Sequence, residues 1–188
     1  MIPLLKNPSG FFESARLDGW KPPFKFFLQI TVFLSIATPI VNYLGVESTD
    51  FSSSYQAQII AYRLIRNSLL DQYGLYAYFI EALLILGFAC IILVFGTGFL
   101  HVIYKLMGGK GSALNAWKAM CYGVGPCGLG GFLPYISLFA GFYSLLLQLY
   151  VGPKVLYAVQ ESRAIFLLAL IIALTFIEMF VLGTTVGF

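Results

Sequence analysis

Charge is what this sequence has least of. Only 10% of its 188 residues are Asp, Glu, Lys or Arg, where soluble domains run near 25%. A globular chain of this length could not cover itself with hydrated side chains, so a water-soluble fold is excluded and lipid must take the place of water around most of it. Histidine occurs once, at His101, and cysteine three times, at Cys90, Cys121 and Cys127. None of the three belongs to a CxxC pair, and all lie in apolar stretches, so they read as small hydrophobes rather than a metal site or a disulfide framework. Cys121 and Cys127 are six apart, on different faces of a helix. The net charge of +3 is small and its basic residues are scattered, which excludes a nucleic-acid partner. The opening MIPLLKNPSGFFESARLDGWKPP has no basic-then-apolar leader, so insertion is expected to use the first span itself. There is no Ser/His/Asp arrangement, phosphate-binding glycine loop or metal-ligand pair. The expectation is therefore a protein that is not an enzyme and takes no cofactor and no metal.

What the sequence does have is hydrophobic length: 60% of residues are apolar, with 18 phenylalanines. A span needs about 20 apolar residues to cross about 30 Å of hydrocarbon. Runs at about 24–44, 76–106, 113–131, 134–157 and 164–182 predict an all-α bundle of five transmembrane helices forming one domain. The third and fourth make a hairpin broken at CGLGGFLP (127–134), with Pro134 opening the second arm. Nine of the eleven basic residues then fall on one side, namely Lys6, Arg16, Lys21, Lys25, Lys105, Lys110, Lys118, Lys154 and Arg163, and only Arg63 and Arg66 on the other. By the positive-inside rule the N-terminus is cytoplasmic and the C-terminus outside, in a plasma or inner membrane. Within an interfacial cytoplasmic segment, 1–22, residues 7–20 predict a short amphipathic helix capped by Asn7, with Pro8 at its first position and Phe11, Phe12, Ala15 and Gly19 on one face. Within the outer loop, 45–75, a further amphipathic helix carries Gln56, Arg63 and Asn67 on one side.

Polar residues inside the spans must find a partner or water. Thr31, Ser35, Thr38 and Asn42 form one helical stripe, and Ser137, Gly141, Ser144 and Gln148 form another. Ala82, Ala89 and Gly96 add a heptad of small residues. These stripes read as packing faces, with a solute pathway as the alternative. The glycines at 123, 125, 128, 130 and 131 read likewise as close packing or a turn. Glu81 and Glu178 lie at one depth, about 9 Å below the outer surface. If they meet, repulsion and desolvation raise at least one pKa and let them share a proton or hold a cation, with Thr38, Asn42, Ser137 and Thr175 as oxygen ligands. Alternatively each reaches water or a neighbouring hydroxyl alone. His101 reads as an isolated interfacial side chain, about 30 Å from Glu81 along the same helix.

The stretch from GGKGSALNAWKAMCYGVGPCGLGGFLPYISLF to VGPKVLYAVQESRAIFLLAL resembles the core of the Yip-one (Ypt-interacting protein) domain family, in its prokaryotic branch. The matching features are the glycine-flanked basic loop Gly108 to Gly111, the pair Tyr122 and Pro126, an apolar hairpin, and Gly152 before a short polar loop. NPSGFFESARLDGW is similar to the family's segment before its first helix. The resemblance implies a five-span domain with a cytoplasmic N-terminus. Its eukaryotic members act in vesicle traffic with prenylated Rab-type GTPases and with each other. The eukaryotic members carry a long cytoplasmic N-terminal region that is not expected here, so GTPase binding and functional residues are not carried over. The implied partners are the lipid bilayer, further copies of the chain or other membrane proteins. The function expected is membrane organisation or partner binding. The alternative is a small ion or proton-coupled channel using Glu81 and Glu178.

Overall fold

The longest helix grows from the longest apolar run. From Tyr76 to Leu106 no proline intervenes, and the computed structural model has one helix of 31 residues there, about 46 Å long at helical rise. The structure describes residues 2–43, 64–130 and 136–185; Pro134 and the side chains of Asn42, Ser137 and Glu178 lie outside the described residues. In chain order the helices are α1 (Ile2–Lys6), α2 (Pro8–Ala15), α3 (Lys21–Tyr43), α4 (64–73), α5 (Tyr76–Leu106), α6 (Ala113–Gly123), α7 (Gly125–Gly130) and α8 (Ile136–Leu146). A π-helical turn (Leu147–Val151), α9 (Gly152–Tyr157) and α10 (Glu161–Thr185) complete the chain. Among the described residues the fold is all helical. Three helical stretches, Lys21–Ile40, Tyr76–Leu106 and Phe139–Tyr157, are long and apolar enough to cross a membrane.

Local chemistry sets each boundary. α5 stops because Gly108 adopts a left-handed conformation at φ 83°. The N–H groups of Gly108 and Gly109 then turn back on the carbonyls of Lys105 and Tyr104, at 2.9 and 2.8 Å, a Schellman stop that only glycine makes without strain. The helix expected over 113–131 is broken at Val124, just before Pro126, whose ring cannot continue the ladder. The freed N–H of Cys127 is taken by the Ser144 hydroxyl of α8 at 2.9 Å, which ties the two arms of the hairpin together. The second arm is interrupted at Gly152–Pro153. Gly152 bonds five residues back to Leu147, and Pro153 has no N–H to offer, so the carbonyl of Gln148 loses its helical donor. The Tyr104 hydroxyl of α5 donates to it instead.

α6 sits at the centre, against α3, α5, α9 and the π turn. Ala116, Ala119, Cys121 and Gly123 are small and buried, which lets its neighbours approach closely. α3 and α5 also pack on each other, α7 packs on α3 and α8, and α10 lies along the π turn. The outward faces of α5 and α10 stay apolar and exposed, at Phe79, Phe88, Phe95, Phe99, Phe166 and Phe176 among others.

The N-terminal segment departs from expectation. Asn7 does cap α2, its side chain accepting from Gly10 N–H at 3.0 Å, but α2 ends at Ala15, so Gly19 lies beyond it. Phe12 and Ala15 are buried against protein, and Leu4 of α1 is fully buried with them. The physical reason is that α2 packs on α9 and the π turn, where a protein surface satisfies its apolar face.

Removing only the Tyr104 hydroxyl tests the π turn. Tyr104→Phe leaves the buried Gln148 carbonyl without a donor and is expected to cost about 1–3 kcal/mol, read as a lower unfolding temperature in detergent. Gln148→Ala keeps that carbonyl bonded and is expected to be milder. Equal stability of Tyr104→Phe and wild type would show that the carbonyl has another partner.

Candidate functional site

The ends of the helical rods converge, and the basic residues converge with them. α5 ends, α6 begins, α9 ends and α10 begins at one junction. Tyr157 is its centre. Its carbonyl accepts from Lys110 N–H at 2.8 Å, its hydroxyl donates to the Ser112 carbonyl at 2.6 Å, and its ring meets Tyr104 edge-on at 4.8 Å. A Cβ on Gly111 would stand 2.6 Å from Tyr157 Cγ, so the basic loop lies flat on the ring only because that residue is glycine. Asn115 donates to the Leu156 carbonyl at 2.9 Å, and Arg163 to the Met107 carbonyl at 3.0 Å.

His101, expected to stand alone, is hydrogen-bonded through Nδ1 to the Tyr157 hydroxyl. With the tyrosine proton directed to Ser112, His101 Nδ1–H is the donor. Proximity was hidden because 56 residues separate the two in sequence.

The N-terminal segment docks beside this junction. Lys118 is 1% exposed, although the charge pattern placed it among the residues facing water. Its ammonium donates to the carbonyl of Arg16, the C-cap of α2, at 2.8 Å. A cation at a helix C-terminus meets both an orphan carbonyl and the negative end of the dipole. Tyr122 donates to Asp18 Oδ2 at 3.0 Å, Tyr143 to the Leu4 carbonyl at 3.1 Å, and the Trp117 indole to the Trp20 carbonyl at 3.3 Å. Phe11 meets the Tyr122 ring edge-on at 4.9 Å, and Phe26 lies tilted against it at 5.2 Å. Tyr122, one of the features that carry the family resemblance, is thus an anchor for the N-terminus.

Of the residues read as a cation or proton site, the structure describes the side chains of Glu81, Thr38 and Thr175; those of Glu178, Asn42 and Ser137 lie outside the described residues. Glu81 is buried in α5 at 6% exposure, and Thr38 is half-buried on α3. Thr175 turns its hydroxyl onto the Ile171 carbonyl of its own helix at 2.9 Å. Among the described residues no group of three or more His, Cys, Asp or Glu gathers to hold a metal.

The stripes divide. Thr31 and Ser35 are buried, but their hydroxyls bond the Phe27 and Val32 carbonyls of their own helix, both at 2.9 Å, rather than reaching across. Ser144 does reach across, to Cys127. Gly96 receives Met120, whose Cε would be 2.6 Å from a Cβ there, while Gly141 faces open space. Ala82 is half-buried, Ala89 packs on the core, and Gln148 lies over Gly123.

No family model, curated protein or solved structure matches the chain.

Lys118→Met keeps the side-chain volume and removes the donor to Arg16. A hydrogen bond from a charged group is worth about 1.5–3 kcal/mol, so the α2 end is expected to loosen and limited trypsin digestion after Arg16 to accelerate. Digestion at the wild-type rate would show that aromatic packing alone holds the segment.

Proposed function

We propose that this chain is a non-catalytic, multi-pass membrane protein of the Yip-one kind, with five spans and its basic end in the cytoplasm, that organises lipid or partner proteins. One observation carries the reading. At the basic end, the side chains best suited to chemistry are bonded to the protein's own main chain: Tyr104, Tyr143, Tyr157, Lys118, Asn115 and Trp117 each donate to a backbone carbonyl. Such groups hold a scaffold together, while the exposed apolar faces of α5 and α10 are left for lipid or for other membrane helices. The glycines of the resemblance support it too, since Gly108 and Gly111 have structural duties at the junction.

The burial of Glu81 favours a second reading, a small channel or proton-coupled transporter acting with Glu178, because a carboxylate kept inside a span is costly unless it serves.

Reconstitution in liposomes separates the two. Purified protein is expected to give no proton or cation flux above empty vesicles across a pH series. Flux in wild type that disappears in folded Glu81→Gln and Glu178→Gln would replace the scaffold with the transporter. Orientation is checked by cysteines placed at Ser112 and Leu75 in a cysteine-free background. A membrane-impermeant thiol reagent is expected to reach Leu75→Cys from outside intact cells and not Ser112→Cys.

A further inference from the structure

Where α5 ends beside the start of α10, a cleft of about 490 Å³ opens, lined by Leu106, Met107, Ser162, Arg163 and Phe166. It lies at the basic end of the bundle, and its two kinds of lining are arranged in order. Leu106 and Phe166 form apolar lips, 81% and 65% exposed. Ser162 and Arg163, both exposed, supply a hydroxyl and a guanidinium from the first turn of a 25-residue helix.

The guanidinium is held in place. Arg163 Nη1 donates to the Met107 carbonyl at 3.0 Å, and a Cβ on Gly108 would come within 2.7 Å of the same atom. The glycine that stops α5 therefore also makes the space the arginine occupies. That bond is the one side-chain hydrogen bond of Arg163 among the described residues, and a guanidinium has five N–H donors in a planar fork. The remaining donors belong to an exposed side chain in the first turn of α10, at the positive end of its dipole. Lys105, one residue before a lip, is exposed and adds charge of the same sign. The nearest acid in sequence, Glu161, is turned to Lys154 at 2.7 Å and does not line the cleft. The lysine hydrogen bond holds the Glu161 carboxyl below its ordinary range, so it stays an anion tied to Lys154 at neutral pH.

We propose that this cleft binds the phosphate of an anionic phospholipid from the leaflet at the basic end, with Arg163 and Ser162 on the phosphate oxygens and an acyl chain lying over Leu106 and Phe166. A planar fork matches two phosphate oxygens better than a point charge does. Basic pockets between spans at this level are where lipid headgroups carry specific charge recognition. A soluble phosphate would leave both apolar lips in water. A zwitterionic headgroup would find no carboxylate in the lining for its ammonium.

The inference rests on the reading of α5 and α10 as spans, and the two fail differently. A failed span reading shows as protein released from membranes by alkaline carbonate without detergent. A failed site shows as membrane-integral protein without lipid selectivity. The test is native mass spectrometry of the purified full chain in mild detergent, titrated with phosphatidylglycerol or phosphatidylcholine. Wild type is expected to retain one phosphatidylglycerol per chain in preference to phosphatidylcholine. Arg163→Ala is expected to weaken that binding about tenfold, as loss of a charge-assisted bond implies. Ser162→Asp, which repels phosphate and leaves the Arg163–Met107 bond in place, should weaken it likewise and decides the matter if Arg163→Ala does not fold. Lys25→Ala, on the exposed start of α3, should bind as wild type does. Equal retention of the two lipids, undiminished binding by folded Arg163→Ala and Ser162→Asp, or displacement of the lipid by soluble glycerol phosphate would each overturn the proposal.

Discussion

A backbone carbonyl freed inside an apolar protein must find a donor, and this architecture is organised around that requirement. Water is scarce where a helix stops, kinks or bulges against other helices, and an unsatisfied main-chain group there costs about as much as a lost hydrogen bond. The chain frees such groups repeatedly: at the end of α2, at the π turn, at the end of α5 and in the loop before α6. Each finds a long side chain from a distant element. Lys118 serves α2, Tyr104 serves the π turn, Arg163 the end of α5 and Tyr157 the loop. The irregular points of the main chain are therefore the points at which the tertiary structure is tied.

This explains why aromatic hydroxyls matter more here than ion pairs. A tyrosine brings a large apolar body that lipid and core tolerate, with one polar tip that reaches a carbonyl. Tyr104, Tyr143 and Tyr157 work in that way, and Tyr122 does so toward the Asp18 carboxylate. By contrast the Lys154–Glu161 pair is exposed at 39% and 55%, where solvent screens most of its attraction. The proposed lipid site belongs to the same design, since the Arg163 guanidinium that caps α5 still has donors to offer outward.

The all-helical class was legible because it depends on apolar run length, a local property. The run at 76–106 is continuous and α5 occupies it; the start of α3 was read a turn late because Lys21 and the two following prolines look like a flank. Asn7 followed by Pro8 was readable as a helix start, whereas the break before Pro126 falls inside the stretch expected to be one helix over 113–131. What was not legible depends on contacts between residues far apart in sequence. His101 looked solitary because Tyr157 is 56 residues away, and Lys118 looked like a surface charge because its acceptor lies 102 residues earlier. Periodicity placed Thr31 and Ser35 on a buried stripe, yet it could not distinguish a hydroxyl that crosses to a neighbour from one that turns back on its own helix. Of the candidate carboxylate site, the structure describes Glu81, Thr38 and Thr175, and the pairing with Glu178 stays a proposal.

The hydrogen bond from Tyr143 to the Leu4 carbonyl sets an order of events during synthesis. The two partners are 139 residues apart, so at about 5–20 residues per second the ribosome needs roughly 7–28 s to make the second after the first. Through that interval the N-terminal segment has no pocket to occupy, and its apolar face must rest on the membrane surface or on a chaperone. The interfacial behaviour read from its amphipathic pattern therefore suits the nascent chain, while in the folded structure Leu4, Phe12 and Ala15 are buried against protein.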